Sequence, residues 1–415
     1  MSRKLIPICV WTCWLFLVSI PAYSQTRPYG FHLPEKVNSV KIPVHISHNL
    51  ILVPVRINNS LELNFIMDTG VRTSLLIEPM VLGLMQLDSL KPIRVRGLGT
   101  GAPIEAGLAE GIKIELPGVV GEDLRMIIMP PNMVSYSSMF GRPVVGLIGY
   151  DFLKNFVVEI NYQQEYIKLY RPEAFKLKGS SRKWQKFRLR FHRSKPYVNA
   201  HLTASDGQKH LLPWLIDTGA SQALSIYYQQ FPLPDKTIRA FIGKGLSGEI
   251  YGDLGRVPQL ELGNYTFEYP VAGFPDSLSV CQIVSQRGLY ATIGSEILSR
   301  FVMVLDYPHR KMYLKKNSSF RKPFEFNLSG IELEARGARF DQYFVSYVRP
   351  ESPADETGIL AGDQIIEISG IDAKDVEDLS LLHGFLNRKA NAKICLKVLR
   401  GNEVMRKCMV LEPDI

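Results

Sequence analysis

Cysteine is scarce in this chain, five in 415 residues, and none stands in a Cys-x-x-Cys pair. That spacing argues against a zinc ribbon and against a thioredoxin-like redox centre. His-Glu-x-x-His and Gly-x-Ser-x-Gly are also missing, which removes the commonest signatures of a zinc peptidase and of a serine hydrolase elbow. His45 and His48 lie three apart but on a strand-turn with no third ligand nearby, so they read as strand and loop residues. No metal and no cofactor is expected. Helix-period segments are few. Beyond residue 24 no apolar run is long enough to cross a bilayer. A hydrophobic fraction of 46% with 21% charged residues belongs to globular protein and argues against disorder. The formal charge is +9, but its basic residues are scattered, as in 176–186 and 311–322, and no nucleic-acid motif accompanies them. No nucleic-acid partner is expected.

The one long apolar run stands at the start. Arg3 and Lys4 precede the uncharged stretch Leu5–Ile20, and Pro21-Ala22-Tyr23-Ser24 follows with small residues at a cleavage spacing. Residues 1–24 are predicted to be a signal peptide cut after Ser24, which makes the mature chain secreted or periplasmic. Its removal takes Cys9 and Cys13 and lowers the formal charge to +7. Cys281, Cys395 and Cys408 remain. Cys395 and Cys408 fall on strand-like segments, and both a disulfide between them and three buried thiols stay open.

The middle of the chain repeats itself. Phe65-Ile66-Met67-Asp68-Thr69-Gly70 and Trp214-Leu215-Ile216-Asp217-Thr218-Gly219 place the same triplet after three apolar residues, 149 positions apart. Leu147-Ile148-Gly149 and Thr292-Ile293-Gly294 repeat a second landmark 145 positions apart. Two landmarks in one order at nearly one spacing define two related lobes, 42–172 and 185–316. Strand-period alternation, as in Ile51–Ile57 and Phe187–Phe191, makes them β-rich. The polar stretches 173–184 and 315–325 read as joints.

An aspartate ending a buried strand is costly unless it is paired or hydrogen-bonded. Gly70 and Gly219 let the backbone turn sharply, and Thr69 and Thr218 can bond locally and across to the other loop. Two such loops face to face hold two carboxyls a few ångströms apart. Like charges that close share one proton. The ionised member then takes a proton from water while the protonated one donates to a scissile carbonyl. Asp68 and Asp217 are the candidate catalytic residues, supported by Thr69, Gly70, Thr218 and Gly219.

With both landmarks in place, residues 42–316 resemble the pepsin-like and retroviral-type aspartic proteases. The resemblance implies an all-β, two-lobed acid-protease β-barrel fold, a cleft for an extended peptide or protein substrate, and a hairpin flap. Gly97-Leu98-Gly99-Thr100-Gly101 suits the flap tip, with Gly243–Gly248 as its counterpart. Small lobes and a flap without tyrosine place the chain nearer the retroviral type. Val71 departs from the usual Ala or Ser after Gly, and neither Val71 nor Ala220 can donate a hydrogen bond to the carboxylates.

The last ninety residues differ in character. Ser352-Pro353-Ala354, then Gly358-Ile359, Gly362-Asp363 and Ile365 to Gly370, resemble a bacterial-type PDZ domain, placed at 326–415. The resemblance implies a peptide or partner ligand, often a free C-terminus, added as a strand. It puts the carboxylate loop at Asp341-Gln342-Tyr343-Phe344. The whole reads as a monomeric exported aspartic endopeptidase with a separable PDZ module. The rival reading is an inactive protease-like adaptor.

Overall fold

The computed structural model describes residues 29–415, apart from 59, 85–88, 100, 132–134, 178, 228–230, 278–279, 281–289, 325, 377–378, 388 and 414. The leader at 1–24, Thr100 and Cys281 lie outside the described residues.

Strands dominate, and among the described residues they form four sheets of nine, six, ten and six strands. The nine-stranded sheet builds lobe one and the ten-stranded sheet lobe two. In each, the strand that ends at the aspartate pairs in parallel with the second landmark strand: Leu63–Met67 with Val144–Ile148, and Lys209–Ile216 with Ala291–Ile293. Each of these strands is buried on both faces toward its end, which is why they read as apolar runs rather than alternations.

A six-stranded sheet underlies both lobes. Its order is Ser39–Pro43, Tyr166–Tyr170, Val157–Asn161, Phe301–Asp306, Lys311–Lys316, Gln185–Arg188. The central antiparallel pair joins the lobes, with Glu159 opposite Val304 at its middle. Residues ahead of position 42 are also built in. Gly30–His32 pairs with Val120–Glu122, and Phe31 and Leu33 are buried in the main core.

The third unit has its own core, with Val345, Ile365, Leu382 and Leu396 among its fully covered side chains. Its strands run in the order Ile331–Arg336, Gln342–Val348, Gln364–Ile368, Lys393–Arg400, Glu403–Val410. Ser352 caps the short helix Pro353–Glu356, its hydroxyl accepting from the Asp355 amide. Cys395 and Cys408 are joined in a disulfide across adjacent strands. Of the two cysteine states left open by the sequence, the structure has the bridge.

Candidate active site

The two Asp-Thr-Gly loops meet between the lobes. Thr69 Oγ1 donates to the Ile216 carbonyl at 2.6 Å and accepts from the Thr218 amide at 3.0 Å. Thr218 Oγ1 does the reverse, donating to the Met67 carbonyl at 2.7 Å and accepting from the Thr69 amide at 3.1 Å. Both threonines are fully buried. Four hydrogen bonds thus lock the loops back to back, and none of them uses a carboxylate.

The carboxylates are left facing one another. The Gly70 amide donates to Asp68 Oδ1 at 2.6 Å and the Gly219 amide to Asp217 Oδ1 at 2.9 Å. A Cβ added to Gly219 would lie 2.3 Å from Asp68 Cγ, and one added to Gly70 would lie 3.0 to 3.3 Å from oxygens of both aspartates. At Gly219 only glycine allows this approach, and at Gly70 a side chain would crowd both carboxylates. Beneath the loops, the Asp68 amide donates to the Ile148 carbonyl and the Asp217 amide to that of Ile293. Gly149 and Gly294 are needed there too, because a Cβ would fall 2.3 Å from the Val71 carbonyl oxygen and 2.1 Å from that of Gln222.

Protein surrounds the pair, though solvent still touches each residue. Burial pushes the Asp68 carboxyl well above the usual range, and the Asp217 charge pushes it further. Burial raises Asp217 as well, opposed by the positive charge of Lys195 and by the Gly219 amide. The hydrogen bond between them raises Asp68 and lowers Asp217, as one shared proton requires.

The hairpin formed by Lys91–Val95 and Ile104–Leu116 carries Gly97, Leu98, Gly99 and Gly101 at its tip. It meets the tip of the lobe-two hairpin, Thr237–Gly245 with Gly248–Arg256. The Ser247 amide donates to the Leu98 carbonyl at 2.9 Å, and the Gly101 amide to the Ser247 carbonyl at 2.8 Å. The tips exchange side chains. Leu98 packs on Tyr197, Leu215 and Tyr227 of lobe two, while Leu246 joins the lobe-one cluster around Val71, Leu75 and Tyr136.

The structure does not bring Asp341-Gln342-Tyr343-Phe344 to a binding edge. Gln342–Val348 is an inner strand, paired on one side with Ile331–Arg336 and on the other with Gln364–Ile368. Tyr343 is 2% exposed and its hydroxyl donates to the Val376 carbonyl. The sheet's edge strands are Ile331–Arg336 and Glu403–Val410, and the helix Leu379–Leu386 flanks the first of them, which makes that side the groove. Sequence reasoning also missed Lys195, whose charge acts on both aspartates, and Tyr136, whose ionisation is held off chiefly by burial and then by the Asp68 charge. Neither belongs to a motif; lobe two's counterpart of the His48–Asn49 turn, which brings in Lys195, shares little sequence with it.

An all-β protease fold with a PDZ domain behind it is what these sheets and loops compose. A family model described as aspartyl protease matches residues 53–152, and one described as PDZ domain matches residues 344–384. No curated protein matches the chain. Among solved structures, the photosystem II D1 C-terminal processing protease is similar at 20% identity, with a TM-score of 0.19. The match spans 20% of this chain and 22% of that one. Among the described residues no His, Cys, Asp or Glu cluster is arranged to hold a metal ion.

Proposed function

We propose that the chain is an exported aspartic endopeptidase whose PDZ module binds peptide or protein. The observation that carries this reading is the pair of carboxylates converging from two interlocked Asp-Thr-Gly loops, close and buried enough to share one proton. Asp217, ionised, takes a proton from water, and Asp68 donates its proton to the scissile carbonyl. No covalent intermediate forms. The crossed flap tips must part to admit an extended peptide, and their leucines vacate apolar ground on both sides of the dyad. Residues 1–24 direct export to a secreted or periplasmic location, and the enzyme acts as a monomer. The rival, an inactive adaptor, is disfavoured by the intact Asp, Thr and Gly of both loops.

The test is turnover of a peptide library. A hydroxyl-containing peptide inhibitor aimed at the dyad should stop cleavage, while a chelator and a serine reagent should leave it unchanged. Cleavage that survives the peptide inhibitor but not the chelator would sink the assignment.

The environment of the dyad also sets its pH range. Activity needs one ionised and one protonated carboxyl, so it falls as pH drops through the lower macroscopic value and again as pH rises through the upper. Burial raises both aspartates, and Val71 and Ala220 offer no hydroxyl to pull either down. The whole bell should therefore lie above that of a dyad with ordinary carboxyls, whose pKa is about 3.9. A kcat/KM profile should peak in the mildly acidic to neutral range, and V71S/A220S should move its acid limb to lower pH. An optimum near pH 2–3 would contradict this account.

For the PDZ module, a free C-terminus is the narrower reading of its ligand.

A further inference from the structure

A peptide joins a PDZ-type sheet at an exposed edge strand. Here that edge is Ile331–Arg336, and the helix Leu379–Leu386 packs beside it. The groove between them is not vacant. Lobe one's helix Tyr136–Phe140 packs against the edge strand. Gly141, which ends that helix at φ +64, is seated between the groove walls. A Cβ placed on it would lie 3.6 Å from Ala335 Cβ on the strand and 3.2 Å from Leu379 Cβ on the helix. Farther along the same helix, the His383 ring meets the His48 ring of lobe one edge to face at 4.8 Å.

The loop ahead of the edge strand is already satisfied by its own side chains. Asn327 Oδ1 accepts from the Gly330 amide at 3.0 Å, and Ser329 Oγ accepts from the Ile331 amide at 3.2 Å. A ligand carboxylate would have to take amides that are engaged, next to the half-buried Glu332 carboxyl, which accepts from Asn327 Nδ2. This end opens into a cleft of about 810 Å³ shared with both lobes, where His48, Arg300, Glu332, Arg349 and His383 are among the lining residues.

The seated segment runs directly into the active site. Ser137 Oγ accepts from the Val144 amide at 3.0 Å, and Val144–Ile148 is the strand whose last carbonyl holds the Asp68 amide. Tyr136 and Phe140 belong to the apolar cluster that receives Leu246 of the opposite flap. The module touches that flap as well, with Tyr347 packed on Phe241 and Tyr251 at 5.9 and 6.2 Å.

We propose that the groove is an intramolecular docking site whose ligand is lobe one's own segment 136–141, so that the module clamps the wall beneath Asp68 and an outside peptide enters only by displacing it. The inference concerns binding and does not require the chain to be a peptidase. Two experiments on the full-length protein test it, both in an Asp217→Asn background so that no peptide is consumed. In the first, G141C and A335C are introduced together with C281S. The built separation of 3.6 Å is within the span of about 3.5–4.5 Å that disulfides bridge. Mild oxidation should cross-link the pair within one chain, as peptide mapping would show. Thiols that stay free while the Cys395–Cys408 bridge remains intact would overturn the proposal. In the second, a fluorescent peptide of residues 135–143 is titrated, as free acid and as amide, against the parent and against G141L. The added side chain should expel the segment and tighten binding at least about tenfold, equally for both peptide forms. Equal affinity for parent and G141L, or a strong preference of the parent for the free acid, would overturn it.

Discussion

Asp68→Asn and Asp217→Asn should each reduce kcat/KM for peptide hydrolysis by at least about 10³-fold, in the range removed with a positioned proton-transfer group. The double variant should be hardly worse than either single one, because residues acting as one unit do not add. Folding should survive. The four threonine hydrogen bonds that lock the loops use no carboxylate, and an asparagine oxygen can still accept from the Gly70 or Gly219 amide. Replacing one of two buried carboxyls with an uncharged amide also lowers the cost of burying the pair, so the melting temperature should hold or rise. Initial rates on a cleaved library peptide, together with thermal melts of the same preparations, check both halves. Near-wild-type turnover by either single variant would remove the dyad from the mechanism.

Ending the chain at residue 322 should yield aggregated, inactive protein, against the separable module expected from sequence. Phe324 and Phe326 lie in the core shared by the two lobes, and Leu328 and Ile415 pack against it. The Arg300 guanidinium donates to the carbonyls of Lys322 and Pro323 and stacks 3.9 Å over the Phe324 ring. Arg256, at the end of the lobe-two flap strand, reaches the carbonyls of Phe324 and Ile415. Losing a buried phenylalanine costs about 3–5 kcal/mol. Two such losses consume much of a total stability of about 5–15 kcal/mol. Soluble yield and a cooperative melt are the measurements. A truncated chain that melts cooperatively and cuts short peptides at the wild-type rate would refute this.

The parts legible in sequence were those whose chemistry is local. Asp-Thr-Gly after three apolar residues announces a buried strand ending in a sharp turn. Its recurrence with Leu147-Ile148-Gly149 and Thr292-Ile293-Gly294 points to the parallel pairing seen beneath the loops. What stayed hidden depends on distance in the chain. Ile331-Glu332-Leu333-Glu334-Ala335-Arg336 alternates as a strand should, yet nothing local marks it as the sheet edge rather than Gln342–Val348. Edge position is a property of the assembled sheet. Tyr136 and Lys195 reach the dyad's field only because strands far apart in sequence converge. The pairing of Cys395 with Cys408 depended on strand register, which two residues thirteen apart do not determine by themselves.

The seam between the lobes carries one more consequence. Val157 opposes Asp306 and Asn161 opposes Val302, so each strand runs past its own counterpart about a local dyad axis through Glu159 and Val304. That is the isologous geometry of a symmetric homodimer, drawn into a single polypeptide. In a true homodimer the residue on the axis would face its own copy, and any surface on one subunit would exist twice. Here a glutamate faces a valine, and the two halves have been free to diverge. The helix that packs into the PDZ groove, Tyr136–Phe140, comes from lobe one. A single chain with two unlike halves thus holds one module per dyad, a stoichiometry that two identical subunits cannot enforce.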